Sequence, residues 1–257
     1  LIILFNIEHY LDFWLLTNSG QIIITIIEQH VQYRIFYAEK QEKAMHVHHT
    51  HAGTPETKGI LIHWAKGYNA FFGRIIRGTD KKVIALAQLK PGNTVLDLGC
   101  GPGSLTIAAK RAVGSSGQVY GLDAAPEMIE VAQRQASNAG VEVKFQVGVI
   151  EALPFPDASV DVVLSRLVWH HLPGDLKRQA FKEIRRVLKP GGLCLIVDFE
   201  PKGMPELLAH LLTSRTPMSG VDVRTYQPLM EEAGFSEVRV GPTGHRLLSF
   251  VQGRSAS

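Results

Sequence analysis

Residues 94 to 110, "TVLDLGCGPGSLTIAAK", run from an apolar stretch through three glycines in five positions into a segment with helical spacing. Glycine inside a regular element costs about 1 kcal/mol relative to alanine. Gly99, Gly101 and Gly103 therefore mark a place that excludes side chains. Strand, tight turn and helix in that order form the first βα unit of a wound sheet. In such a sheet, ligands lie beyond the carboxyl ends of the strands. The start of the following helix adds unpaired N–H groups and a partial positive charge. Backbone without Cβ atoms can lie directly against a flat or charged ligand.

Outward from this unit, strands and helices alternate. Strand "QVYGLDA" precedes helix "PEMIEVAQRQASNAG", with Pro126 in its first turn and Gly140 after its last. Strand "VEVKFQVG", a short helix or turn at "EALPFPDAS" and strand "VDVVLSRL" follow. Helix "PGDLKRQAFKEIRRVL" then runs to "KPGG", ahead of strand "LCLIVDFE". The strands are short, rich in valine and almost wholly apolar, as expected where both faces of a parallel sheet are covered. Upstream, "TDKKVIALAQLK" reads as an amphipathic helix capped by Thr79 or Asp80. Downstream, "VRTYQPLMEEAGF" reads as a helix, and "SEVRVGPTGHRLLSFVQG" as two strands turning at "GPTG". The expected fold is α/β: a doubly wound, Rossmann-like sheet, mostly parallel, with an antiparallel carboxyl-terminal hairpin at its edge and amino-terminal helices.

The glycine spacing is G-x-G-x-G, with Ser104 where a dinucleotide fingerprint has its late glycine or alanine. Asp97 precedes the glycines, and Asp123 ends the next strand. A carboxylate about 20 residues past such a loop accepts both hydroxyls of a ribose. The ligand is thus expected to carry a nucleoside sugar, with something other than a pyrophosphate at the loop.

A chain of 257 residues, 45% of them apolar, has room for one large domain with appendages. A net charge of +3 with no run of like charges excludes a nucleic-acid arm. The basic "KRQAFKEIRR" has helical spacing and reads as a solvated face. Cys100 and Cys194 form no C-x-x-C pair, which fits a reducing, cytoplasmic compartment. No uninterrupted apolar run reaches the length of a membrane span.

Residues 1 to 44 hold nine isoleucines, one glycine and neither proline nor methionine. That texture differs from the rest, and the expectation is a native start at Met45. The alternative is a membrane-surface or dimerising segment. His46, His48, His49 and His51 in "HVHHTH" read as a solvated tail, so no metal site is expected. The division drawn is an extension over 1–57 and a domain over 58–257. The domain carries a helical lid at about 58–90 and a substrate-side insertion at about 201–222, with the chain a monomer or homodimer.

"VLDLGCGPGS", "GLDAAPEMIEVAQ", "GVIEALPFPDASVDVVLSRLVWHHL" and "EIRRVLKPGG", in that order, resemble the successive motifs of class I S-adenosylmethionine-dependent methyltransferases. The likeness is nearest to the ubiquinone and menaquinone biosynthesis C-methyltransferase group and covers roughly residues 60 to 253. It implies a seven-stranded sheet with the last strand antiparallel, and S-adenosylmethionine as cofactor. By motif position, Asp97, Gly99 and Gly101 would hold the methionine part and Asp123 the ribose, with Cys100 and Gly103 also among the cofactor-binding residues. Ala124 or Met128 would pack near the adenine, with Val149 and Ile150 at its polar edge and Glu151 also among the cofactor-binding residues. Arg166 and Leu167 would floor the pocket, and Tyr68 in "HWAKGYN" would close over it. One position departs from the pattern. Such families commonly read "GDAEALPF", but here Val149 stands where the acid would accept from the adenine amine. Losing a hydrogen bond to a charged acceptor costs about 1.5–3 kcal/mol. The Ile150 N–H remains for the adenine ring, so weaker binding is expected.

The reaction implied is in-line methyl transfer to a small, hydrophobic or aromatic acceptor, governed by alignment and exclusion of water. His170 and His171 are the candidate bases. Trp64, Tyr68 and Trp169 are candidate linings of a cation-friendly cavity. Asp198 and Glu200, after the fifth strand of the wound sheet, are candidates to face the acceptor. Two other classes remain: a methyltransferase-fold scaffold without catalysis, and a nicotinamide-dependent oxidoreductase. The G-x-G-x-G spacing and the lack of a Tyr-x-x-x-Lys pair stand against the latter.

Overall fold

A computed structural model describes Phe5–Ile7, Tyr10–Asp12 and residues 78–200 and 222–256. The chain divides into two units, Leu1–His51 and Ala52–Ser257. In the first, strands β1 (Phe5–Ile7) and β2 (Tyr10–Asp12) pair antiparallel, with Ile7 opposite Tyr10. The histidines of "HVHHTH", Trp64, Tyr68, the helices expected before residue 78 and the insertion at 201–221 all lie outside the described residues.

The second unit is a wound sheet. Its elements in order are α1 (Thr79–Ala87), β3 (Thr94–Leu98), α2 (Ser104–Val113), β4 (Gln118–Asp123), α3 (Pro126–Asn138), β5 (Lys144–Val147) and β6 (Val160–Arg166). They continue with α4 (Gly174–Val187), β7 (Leu188–Phe199), α5 (Gln227–Glu232), β8 (Phe235–His245) and β9 (Leu248–Ser255). Seven strands form one sheet in the order β5-β4-β3-β6-β7-β9-β8. Order reverses beside β3, because β4 lies on one side of it and β6 on the other. Both pairings are parallel.

Period-two alternation explains why the strands read as unbroken apolar runs. Val95, Val162, Leu164, Leu193, Leu195 and Val197 point to one face, under Val83 of α1 and Leu105, Ala109 and Val113 of α2. Leu96, Leu98, Val163, Cys194 and Ile196 point to the other, against Phe181 and Ile184 of α4 and Met230 of α5. With both faces covered, every strand position needs an apolar residue. Two buried acids break this pattern, Asp97 and Asp198, and both sit near the carboxyl ends of their strands.

Several local expectations change. Thr79 and Asp80 do not cap α1; Gly78, at φ 86°, occupies that position with no side-chain cap. Both side chains instead accept from Arg166 of β6. The "GPTG" segment stays inside β8, and the turn falls at Arg246–Leu247. A register shift between Pro242 and His245 absorbs the irregularity. Pro242 is tolerated because β8 is an edge strand. Helix α4 ends at Val187, and "KPGG" belongs to β7. The expected helix over 223–235 is a 3₁₀ turn (Val223–Tyr226) followed by the short α5. The carboxyl-terminal pair is also placed more specifically. β9 is inserted between β7 and β8, antiparallel to both, and β8 forms the edge.

Candidate functional site

The three glycines have three different physical reasons. Gly99 has φ 64°, and a Cβ there would stand 2.3 Å from a Val168 methyl. Gly103 has φ 86°; its Cβ would meet Ala132 of α3 at 3.0 Å and Phe145 of β5 at 3.2 Å. These two glycines let the protein close on itself. Gly101 alone, at φ 50°, has no heavy atom within 4 Å of its Cβ position. Only there does bare backbone face open space. At Gly99 and Gly103 the protein's own packing already excludes a side chain, so only at Gly101 is the absence of a Cβ left without an internal cause.

Asp123 lies against the same loop. Its Oδ2 accepts from the Gly101 N–H at 2.8 Å and its Oδ1 from the Ala125 N–H at 3.0 Å. Burial raises its pKa, and the N–H groups of Ala125, Gly101 and Ala124 pull it back down. A carboxylate offers about four acceptor positions, more than these N–H groups fill. The Cys100 N–H donates to Leu122 O at 3.0 Å, tying the loop to β4. The Cys100 thiol is buried, and its pKa is raised by that burial and by Asp123. Ala125 and Met128 form a small apolar cluster of their own, with Val131, apart from the two main cores. Ala124 and Val149 are half-buried and Ile150 is buried.

Arg166 stands elsewhere than expected. Its guanidinium donates to Thr79 and Asp80 of α1 and to the Ser104 hydroxyl at the start of α2. It ties α1 to the glycine-loop helix instead of flooring a pocket. Leu167 takes φ 61°, a left-handed conformation that costs a non-glycine residue about 1–2 kcal/mol. Its N–H donates to Val197 O at 2.9 Å, and the bend sets Val168 against Gly99. Glu151 offers its carbonyl to Gln179 of α4.

Asp97 accepts from the Thr106 hydroxyl at 2.6 Å. Burial pushes its pKa up to about 7, against the pull of Thr106 and Arg166. An unfolded aspartate ionises near pH 4, so between about 4 and 7 the folded chain is the better proton binder. This contribution to stability is full below about pH 4 and is lost as pH rises through 7. Between about pH 5 and pH 7, the native protein is expected to lose roughly 2 kcal/mol more stability than Asp97→Asn. Urea unfolding at the two pH values checks this; equal losses would contradict it.

After the bend come Trp169, His170 and His171, in one 3₁₀ turn. Trp169 is fully buried between Phe181 and Tyr226, so it belongs to the core and lines no cavity. Asp198 of β7 is fully buried and is taken up by the protein's own donors. It accepts from the His170 N–H at 2.9 Å, His170 Nδ1 at 2.7 Å, the Phe199 N–H at 2.9 Å and the Tyr226 hydroxyl at 3.1 Å. Glu200 is buried, 3.4 Å from Arg224.

One contributor was missed in the sequence. Arg186 of α4, read as part of a solvated basic face, donates to Leu153 O and Phe155 O and pairs with Glu183 and Asp157. Glu183 in turn accepts from the Leu153 N–H. The pair clamps the "EALPFPDAS" loop. Helical spacing alone does not distinguish such a clamp from a surface charge.

A family model described as a methyltransferase domain matches residues 95–192. The ubiquinone/menaquinone biosynthesis C-methyltransferase of Hydrogenovibrio crunogenus is 35% identical over 190 residues, covering 68% of this chain and 74% of that protein. The chain belongs to the class I S-adenosylmethionine-dependent methyltransferases. The arsenite methyltransferase of Halobacterium salinarum is 38% identical over 162 residues, 62% of this chain and 41% of that protein. The crystal structure of the YcgJ protein of Bacillus subtilis superposes with a TM-score of 0.56 at 25% identity, covering 70% of this chain and 98% of that one. The chain spans about half the length of most curated relatives it matches. The cofactor of this methyltransferase family is S-adenosylmethionine. The residues here are compatible with it. Gly101 provides open, bare backbone, and Asp123 beside it keeps acceptor capacity for a ribose.

Proposed function

We propose that this methyltransferase binds S-adenosylmethionine over Gly101 and transfers its methyl group to a small, hydrophobic or aromatic acceptor. The observation that carries the reading is the open glycine of the loop, Gly101, hydrogen-bonded to the acid that ends the adjacent strand. When bound, the cofactor supplies a methyl group activated by a sulfonium. The protein supplies position. Asp123 would hold the ribose, Asp97 and the Gly99–Gly103 backbone would border the methionine part, and Met128, Ala124 and Ile150 would face the adenine. Arg166 and Leu167 act behind these groups, fixing α2 and the bend after β6. Exclusion of water and alignment of the two reactants supply the rate.

Relatives named for arsenite and for quinones resemble this chain to nearly the same degree, so the similarity does not select the acceptor. Among the described residues no helix is long and apolar enough to cross a membrane. A second reading, a binding subunit without catalysis, is favoured by Val149, which cannot accept from an adenine amine. Calorimetry with S-adenosylmethionine and the full chain separates the two. A single saturable site supports the methyltransferase, and no heat at millimolar cofactor overturns it.

A further inference from the structure

One face of α4 substitutes for a strand partner. Gln179, Glu183 and Arg186 follow helical spacing, so their side chains share one side of the helix. All three bind the main chain of the loop between β5 and β6, and they do so at alternate residues. The Gln179 amide donates to Glu151 O at 3.0 Å. Glu183 accepts from the Leu153 N–H at 2.8 Å. Arg186 donates to Leu153 O at 2.9 Å and to Phe155 O at 2.8 Å. Bonds to N–H and C=O at every second residue are what a neighbouring strand would supply. Here a row of side chains supplies them.

The row is itself rigid. Arg186 and Glu183 form a two-bond fork, Nε to Oε1 at 2.9 Å and Nη2 to Oε2 at 2.7 Å. Paired bonds of this kind fix geometry as well as charge. The Arg186 hydrogen bonds outweigh desolvation and hold the Glu183 pKa below its ordinary value, so the carboxylate keeps accepting at neutral pH. The loop is also fixed at both ends. Its Ala158 and Ser159 N–H groups donate to Arg186 O and Val187 O at 2.9 Å. At the other end, the Gly148 N–H donates to Asp123 O at 2.9 Å, and a Cβ on Gly148 would stand 2.6 Å from Leu122. Val149 and Ile150, the residues read as the adenine edge, lie between these anchors. The valine side chain has no acceptor, and the isoleucine side chain is part of the core. Recognition of a base there falls to the main chain. A main-chain hydrogen bond is lost beyond about 3.5 Å, so the turn must be held in place.

We propose that the Gln179–Glu183–Arg186 face of α4 is the positioning element for adenine: by fixing residues 151–155 it places the Val149–Ile150 main chain and so sets the preference for adenine over other bases. This rests on the methyltransferase reading. The three side chains are positioning residues, acting on the ligand only through the loop. Arg186 is central, because it carries both the fork and two of the carbonyl bonds.

The test uses the full chain and two probes, S-adenosylhomocysteine and S-inosylhomocysteine, with binding measured by calorimetry. The probes differ only in the base: N1 of adenine accepts a hydrogen bond, whereas N1–H of hypoxanthine donates one. The unaltered chain should prefer the adenine probe about 10-fold, because a fixed N–H meets an acceptor in one and a donor in the other. Arg186→Lys keeps the charge and loses the fork. It should bind S-adenosylhomocysteine about 5-fold more weakly, with the preference reduced to about 2-fold. Glu183→Gln keeps an acceptor for the Leu153 N–H and should stay nearer the unaltered chain. Gln179→Ala, at an exposed position, should lower the preference about 2-fold. Circular dichroism shows that each variant is folded, and Gln179→Ala and Glu183→Gln decide the matter if Arg186→Lys is not. A purely structural role weakens both probes equally. An unchanged ratio in the folded variants therefore overturns the inference, as does equal binding of the two probes by the unaltered chain. Binding of neither probe by the unaltered chain overturns the methyltransferase reading itself, and this one with it.

Discussion

Asp123→Ala is expected to weaken S-adenosylmethionine binding at least about 100-fold. Each charge-assisted hydrogen bond contributes about 1.5–3 kcal/mol, and two to a ribose make about 3–6 kcal/mol. That corresponds to a factor between about 10² and 10⁴ in Kd. Removal of Asp123 also frees the Gly101 and Ala125 N–H groups it now binds. The loop can then relax as well, which adds to the loss. Asp123→Asn keeps one acceptor oxygen and should fall between, near 10-fold. Calorimetry on the two variants measures this, with circular dichroism to show that the sheet is intact. A loss under about 10-fold in a folded Asp123→Ala protein would remove the acid from the ligand site.

Asp198→Ala should destabilise the fold by about 3–5 kcal/mol, the range for breaking a buried charged network from one side. Four donors converge on this carboxylate, two of them backbone N–H groups, and Asp198 is fully buried. Alanine leaves the His170 ring, the Tyr226 hydroxyl and both N–H groups in the interior without an acceptor. Those groups tie the 3₁₀ turn after β6 to the end of β7 and to the segment before α5. Burial and Asp198 together raise the Tyr226 pKa, so the hydroxyl stays protonated and keeps donating. Chemical denaturation gives the free energy directly. Asp198→Asn preserves volume and one acceptor and should cost less than alanine. A change below about 1 kcal/mol in Asp198→Ala would mean that the network holds nothing.

Much of the sheet could be read from the sequence because its cause is local and repeated. Val95, Leu96 and Leu98, then Val160 to Leu164, then Leu193 to Val197 are apolar at nearly every step, since opposite faces are both covered. Pro126 at the start of α3 and Gly140 after its end follow from backbone constraints that act within one turn. Errors arose where a distant partner won over a local preference. Thr79 and Asp80 are good capping residues, but a guanidinium from β6 takes their oxygens. "GPTG" is a good turn, but pairing with β9 carries the strand past it to Arg246–Leu247. Trp169 and Asp198 read as site residues because they fall after or at the end of strands, and Phe181 of α4 and Tyr226 pack over the first while Tyr226 and His170 close on the second.

The glycine loop shows the same division at atomic scale. The order of strand, three glycines, helix and a second acid identifies the kind of ligand, because a positive φ and a ribose-binding carboxylate are requirements that the chain meets within about 25 residues. Which glycine faces that ligand is set by residues far along the chain. Val168 closes on Gly99, Ala132 and Phe145 close on Gly103, and nothing closes on Gly101. The two histidines are identical letters side by side, and only Asp198, brought alongside by β7, ties down the ring of one, while the Nδ1 of the other has no partner among the described residues. Backbone propensity and alternation act between neighbours, so they are written in the sequence. Steric closure and the pairing of buried polar atoms act across space, so they exist only once the strands have been laid side by side.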